Sequence, residues 1–310
     1  MASVLHVLLI VLIVVVVLMI LIWLFLAVYT SIPKKTSYEE SIKEAKEQNM
    51  YGDYDELEKE PFTVRSYDGY ELSAELVKCG DPKRIVIISH GWGVNRYNSV
   101  KYVQLFRKFG YSAVVYDDRG HGVNKKTYTT MGVRESKDLL AVIDAVYERY
   151  GSDVFLGLHG ESLGASLSVL ALAEKPNVKF LVSDCGYGDF REMCRIRMVR
   201  YHLPMLMMKG ADLFCRWFYH YSPLNIFPYK ALEDNIIPIA FMHGTADYMT
   251  DHHHSILMHE KNKGYSELHL YPDTPHARSL PNNPEAYEAD VRGFLKDHVP
   301  GALPVTEENA

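Results

Sequence analysis

Ser162, Asp247 and His276 have the residue types and chain order needed for nucleophilic attack on a carbonyl carbon. The serine sits in Gly160-Glu161-Ser162-Leu163-Gly164. This stretch follows the apolar run Val154-Phe155-Leu156-Gly157-Leu158 and precedes the helix-favouring Ala165-Ser166-Leu167-Ser168-Val169-Leu170-Ala171. A strand, a turn that only glycine tolerates on either flank, and a helix whose N-terminus faces the serine make the setting in which G-x-S-x-G presents a nucleophile. Asp247 ends His243-Gly244-Thr245-Ala246-Asp247, directly after the run Ile236 to Met242, which reads as a buried parallel strand. His276 lies in a Pro-broken loop, Pro272 to Arg278, after the short strand Glu267 to Tyr271. A serine hydroxyl is a weak nucleophile at neutral pH, so the imidazole of His276 would take its proton during attack. Asp247 would hold the ring in the required tautomer and stabilise the imidazolium, with Asp184 after the preceding strand as the rival acid.

A serine on a strand-turn-helix, followed by an acid and then a histidine after late strands, is the order of an α/β-hydrolase triad. Ser89-His90-Gly91-Trp92-Gly93, Asp117-Asp118-Arg119-Gly120-His121-Gly122 and Ser183-Asp184-Cys185-Gly186-Tyr187 add further pieces in the same order. With them the chain resembles the α/β-hydrolase superfamily over roughly residues 62 to 299, and within it is similar to bacterial membrane-anchored hydrolases of the serine aminopeptidase-like type. The resemblance implies an α/β-hydrolase fold, with a mostly parallel central sheet, helices on both faces and a helical cap. It also implies an oxyanion hole made by the backbone N–H groups of Leu163 and of Trp92, which follows Ile85-Val86-Ile87-Ile88 and is flanked by Gly91 and Gly93. The implied activity is cleavage of carboxylic esters or related acyl compounds through an acyl-enzyme, without a cofactor. Peptidase, thioesterase and acyltransferase reactions share the same triad, and a non-catalytic binder on the same fold is the reading from another class.

Other polar clusters have plainer readings. His90 and His121 lie in glycine-rich loops and are expected to hydrogen-bond structurally. His252-His253-His254, with His259 nearby, invites a metal, but consecutive helical residues diverge and no carboxylate or cysteine completes a ligand spacing. No metal is expected there, only a solvated first turn of the helix after Asp247.

The elements that must position these residues follow from the apolar patterning. Strands are expected at Ile85 to Ser89, Ser112 to Asp117, Val154 to His159, Phe180 to Asp184, Ile237 to His243 and Glu267 to Tyr271, alternating with helices. Phe62 to Val77 reads as an antiparallel hairpin turned at Asp68-Gly69. This gives a hydrolase domain over 62–300, with a cap at 190–235 where the alternation breaks, and a tail at 301–310. The cap is rich in methionine and aromatic residues, and Met193, Trp217 and Phe218 are expected to line an acyl pocket, a self-packed helical pair being the alternative. Arg191, Arg195, Arg197, Arg200 and Lys209 give the cap a basic excess that would face anionic headgroups or water.

Residues 1–33 contain no Asp, Glu, Lys or Arg, and the apolar run from Val4 to Val28 would make a helix roughly 37 Å long, enough for a hydrocarbon core of about 30 Å. The stretch Leu26 to Thr30 offers no small-x-small cleavage site, so this segment reads as a membrane anchor in contact with lipid rather than a signal peptide. Lys34 and Lys35 follow the span, which by the positive-inside bias puts the domain in the cytosol. Resemblance to exported hydrolases points the other way, and the side stays open. Residues 34–61, with interleaved lysines and glutamates, read as a charged, partly helical, solvated connector. Cys79, Cys185, Cys194 and Cys215 show no paired spacing, and a net charge of −6 leaves no footprint for nucleic acid.

Overall fold

The computed structural model describes residues 2–304, so the expected tail lies outside the described residues from 305 onward. Its strands are β1 (Glu58–Arg65), β2 (Glu71–Lys78), β3 (Asp81–Ser89), β4 (Tyr111–Tyr116), β5 (Phe155–Glu161), β6 (Leu181–Asp184), β7 (Ile239–Gly244) and β8 (Ser266–Tyr271). They form one sheet in the order β1-β2-β4-β3-β5-β6-β7-β8. Pairing is parallel from β4 through β8, while β2 runs antiparallel to both β1 and β4.

The unbroken apolar run Ile85-Val86-Ile87-Ile88 reflects burial on both faces, since successive strand residues point to opposite sides. Ile85 and Ile87 join one core, and Val86 and Ile88 join the other. The first core is covered by α4 (Val133–Tyr150), α5 (Leu163–Ala171) and α8 (His253–Lys261), and the second by α3 (Val100–Arg107) and α10 (Pro284–His298). The chain leaves β3 toward β4 on one side and continues through β5 on the other. The loops after β3 and β5 therefore open a crevice at the carboxyl end of the sheet, the usual ligand site of such a topology.

Between β6 and β7 the alternation breaks into α6 (Phe190–Arg200), α7 (Leu206–Phe214) and short turns, with α9 (Ser279–Asn282) preceding α10 later in the chain. Met193, Cys194, Met208, Ala211 and Cys215 continue the first core upward into this segment. The apolar N-terminus is a single helix, α1 (Ala2–Ser31), whose last turns pack on α7. Gly210 allows that approach: a Cβ there would sit 2.0 Å from the Trp23 ring.

The charged connector differs from its expected form. Its last residues belong to β1, and α2 (Tyr38–Glu47), capped by Ser37 and Glu40 in a reciprocal box, is docked rather than solvated. Ser41 is buried and donates to Asn98 (2.8 Å), Tyr38 donates to Asp117, and Arg278 reaches Glu44 at 3.1 Å. Interleaved charge conceals these contacts because only a few residues of the helix make them.

Candidate active site

Ser162 occupies the turn between β5 and α5 with φ 57° and ψ −113°, a left-handed backbone that costs a non-glycine residue about 1–3 kcal/mol. The surroundings hold it there. Its N–H donates to the Asp184 carbonyl (2.8 Å), and its own carbonyl accepts from Ser166 N–H (3.1 Å). The flanking glycines are required by contact: a Cβ on Gly160 would lie 2.3 Å from the Gly164 carbonyl oxygen, and one on Gly164 2.0 Å from that of Ser89. The turn thus lifts the hydroxyl above the sheet at the N-terminus of α5.

His276 Nε2 lies 2.9 Å from Ser162 Oγ, and His276 Nδ1 lies 2.6 Å from Asp247 Oδ2. The other carboxylate oxygen of Asp247 accepts from the Met249 and Thr250 amides, both at 2.8 Å. Burial pushes the Asp247 carboxyl up, but hydrogen bonds from His243 and His276 outweigh it and hold the group well below the ordinary carboxylate range. Asp184, the rival acid, is directed elsewhere, accepting from Ser279 Oγ (3.0 Å) and Tyr102 OH (3.1 Å). Burial, with the nearby charge of Glu161, pushes its carboxyl up to about 6.

Trp92 and Leu163 border the same cavity as Ser162, and neither backbone N–H is engaged by another group among the described residues. The loop carrying Trp92 is set by two buried histidines. His90 Nε2 accepts from the Asp118 amide (3.0 Å) and His121 Nε2 from the Gly93 amide (2.9 Å), so each ring carries its proton on Nδ1. Those Nδ1–H groups donate to the Gly91 and Arg119 carbonyls. Burial lowers both, His121 to about 3, which keeps them neutral.

The arrangement can move a proton from Ser162 to His276, hold the imidazolium against an ionised carboxylate and offer two free amides to a developing oxyanion. It does not fit a metal. Cys185, Asp247 and His276 place ligand atoms within 4.8 Å of one another, but both His276 nitrogens are engaged and burial pushes the Cys185 thiol far up.

Residues 80–187 match the family described as serine aminopeptidase, S33. The chain is 28% identical over 268 residues to YqkD, an uncharacterized protein of Bacillus subtilis, covering 84% of this chain and 88% of that protein. It is 28% identical over 99 residues to monoglyceride lipase of Rattus norvegicus, covering 31% and 32% respectively. Its fold superposes on the Pyrococcus furiosus esterase Pf2001 with a TM-score of 0.65 and 22% identity, over 85% of this chain and 98% of that one. The chain has the α/β-hydrolase fold.

In this fold the cap residues divide. Met193 borders the cavity of about 110 Å³ beside Ser162, together with Met131, Tyr187 and Phe190. Trp217 and Phe218, expected there, do not: they are 72% and 57% exposed on the outer side of the cap next to α1. A Met- and aromatic-rich helical run has more apolar positions than one pocket can use, and its periodicity does not tell which face turns inward. The histidine run is also only partly solvated, for His254 is fully buried and burial lowers it to about 4. A larger groove of about 620 Å³, bounded by Asp68, Tyr70, Asn124 and Arg134, lies away from Ser162.

Several site residues carry little sequence signal. Tyr29 and Thr30, from the end of α1, and Met249 and Thr250, after Asp247, border the cavity. His243 backs the acid, with Nε2 3.2 Å from Asp247 Oδ2 and 2.9 Å from the Thr250 carbonyl, and Nδ1 2.6 Å from Ser255 Oγ. Its place four residues before Asp247 was the only clue. On the far side of His276 a polar cleft of about 160 Å³ opens between α2 and Lys101, Glu161 and Arg278.

Proposed function

We propose that this chain is a membrane-anchored serine hydrolase that cleaves carboxylic esters or related acyl compounds through an acyl-enzyme on Ser162. The observation that carries this reading is the hydrogen-bonded line Ser162 Oγ to His276 (2.9 Å) to Asp247 (2.6 Å), ending at a strained serine beside an apolar cavity. As Ser162 Oγ bonds to the carbonyl carbon, His276 Nε2 takes its proton and the carbonyl electron pair moves onto oxygen. The amides of Leu163 and Trp92 receive that oxyanion, each worth about two to three orders of magnitude in rate. Collapse breaks the bond to the leaving group, which takes the proton from His276. A water deprotonated by His276 then attacks the acyl carbon, releasing the acid and restoring Ser162. Asp247 stays ionised throughout, in keeping with its lowered carboxyl value. The stretch similar to monoglyceride lipase supports an acyl ester, while the serine aminopeptidase match keeps amides among the substrates to be tried.

The anchor is α1, an apolar helix with mean hydropathy 3.7 over its best window and no burial there. Its retention in the mature chain is supported by its far end, whose Ser31 carbonyl accepts from Thr129 N–H (2.8 Å) and which borders the site through Tyr29 and Thr30. A cleaved leader would leave that wall open.

Fluorophosphonate labelling tests the chemistry. Wild type should label, and Ser162→Ala should lose both labelling and p-nitrophenyl ester turnover at an unchanged melting temperature. Retained labelling in a folded Ser162→Ala protein refutes the assignment. A panel of p-nitrophenyl esters beside aminoacyl amides then separates esterase from peptidase. For the anchor, the intact chain should resist carbonate extraction from membranes; recovery of a soluble chain starting near residue 30 would refute it.

A further inference from the structure

The cavity beside Ser162 is small. At about 110 Å³ it falls below the roughly 150 Å³ that accommodates benzene in an engineered protein cavity, so it holds only a few carbons of an acyl chain. A longer chain must leave past the rim, and the rim is formed by Tyr29 of α1 and by Met249, both 53% exposed. From there an aromatic ladder leads down the helix. The Trp92 and Tyr29 rings lie 5.7 Å apart, and Tyr29 stacks on Phe25 at 6.1 Å, one turn further toward the apolar body of α1.

The end of α1 is firmly held against the cap. Ser31 Oγ bonds the Tyr221 hydroxyl (3.0 Å), Thr129 N–H bonds the Ser31 carbonyl (2.8 Å), and Trp23 lies against Gly210. Beside that contact the outer cap exposes Leu206, Leu213, Trp217 and Phe218, with Lys209 and Arg216 among them. Exposed tryptophan and phenylalanine mixed with basic residues, continuous with an apolar helix, fit the headgroup layer of a bilayer.

We propose that the last turn of α1 is a wall of the acyl site, and that this site takes a single-chain acyl amphiphile directly from the leaflet that α1 crosses. The carbonyl sits at Ser162 and the first carbons fill the cavity. The rest of the chain then follows Tyr29 and Phe25 into hydrocarbon without passing through water. The anchor is thereby a specificity element and not only a tether. This rests on the serine-hydrolase and anchor readings above.

The test uses the full chain in phosphatidylcholine vesicles. kcat/KM is measured for vesicle-borne p-nitrophenyl palmitate and for soluble p-nitrophenyl acetate, with fluorophosphonate labelling of every variant. Tyr29→Ala should lower the palmitate-to-acetate ratio by about tenfold or more, since several buried methylenes at about fourfold each lose their track. Gly210→Leu, which forces Trp23 off α7 outside the site, should lower palmitate turnover and leave acetate turnover unchanged. A ratio within about twofold of wild type in Tyr29→Ala overturns the proposal. If Gly210→Leu fails to label, Tyr29→Ala decides alone, because its ring is partly exposed and its loss leaves the core intact. Absence of labelling in wild type would instead refute the proposed function and not this inference specifically.

Discussion

Replacing Asp247 by asparagine isolates the part of the site that depends on proton position rather than on shape. One carboxylate oxygen accepts from the amides of Met249 and Thr250, both at 2.8 Å, so the asparagine oxygen must take that place. Its NH₂ group then falls where Oδ2 was, 2.6 Å from His276 Nδ1 and 3.2 Å from His243 Nε2. A donor facing Nδ1 requires the His276 proton on Nε2, aimed at Ser162, and such a ring cannot accept the serine proton. Rotating the amide to restore the tautomer would strand two backbone N–H groups at about 1–3 kcal/mol each. The expected loss is therefore about four orders of magnitude in kcat, or about 5.5 kcal/mol in the barrier, as found for this change in the serine-protease triad. KM should move little, and the protein should stay folded. The assay is kcat and KM on p-nitrophenyl butyrate with thermal melting, and Asp184→Asn as the control. Asp184 contacts Tyr102 and Ser279, so its variant should keep rates within about threefold of wild type. A nearly normal Asp247→Asn beside a dead Asp184→Asn would refute the reasoning.

Asp184 should contribute to pH-dependent stability instead. Its folded value of about 6 lies above the ordinary carboxyl value, so the stability it adds at low pH is lost as pH rises from about 4 through 6, by up to about 3 kcal/mol. Asp184→Asn should flatten that fall in melting profiles taken from pH 4 to 7. Gly164→Ala should destabilise by more than about 3 kcal/mol in chemical denaturation, because its Cβ would sit 2.0 Å from the Ser89 carbonyl oxygen. His243→Phe, which removes one of the donors to Asp247, should lower kcat by about tenfold, read from steady-state kinetics. Met193→Ala should change the chain-length profile on soluble esters, whereas Trp217→Ala should leave it as in wild type, since only Met193 borders the cavity.

What this sequence determined alone is local or periodic. The strand-turn-helix around Ser162 is legible because Gly160 and Gly164 mark backbones too close for a Cβ. The sheet is legible because runs such as Ile85 to Ile88 are apolar at every position, as burial on both faces demands. Chain order and resemblance pointed to Asp247 and His276, and the structure brings both into one hydrogen-bonded line with Ser162. The remainder depended on which surfaces meet. Tyr29 borders the cavity from a position more than a hundred residues from Ser162, inside a helix whose uniform apolarity marks no particular face. Trp217 and Phe218 share the composition of a pocket lining yet face outward, because hydrophobicity records that a side chain avoids water and not whether protein or lipid provides the refuge. Likewise the charges of α2 read as solvated, although Ser41 and Glu44 dock it beside His276. Packing between distant segments made those choices, and no spacing within either segment encodes them.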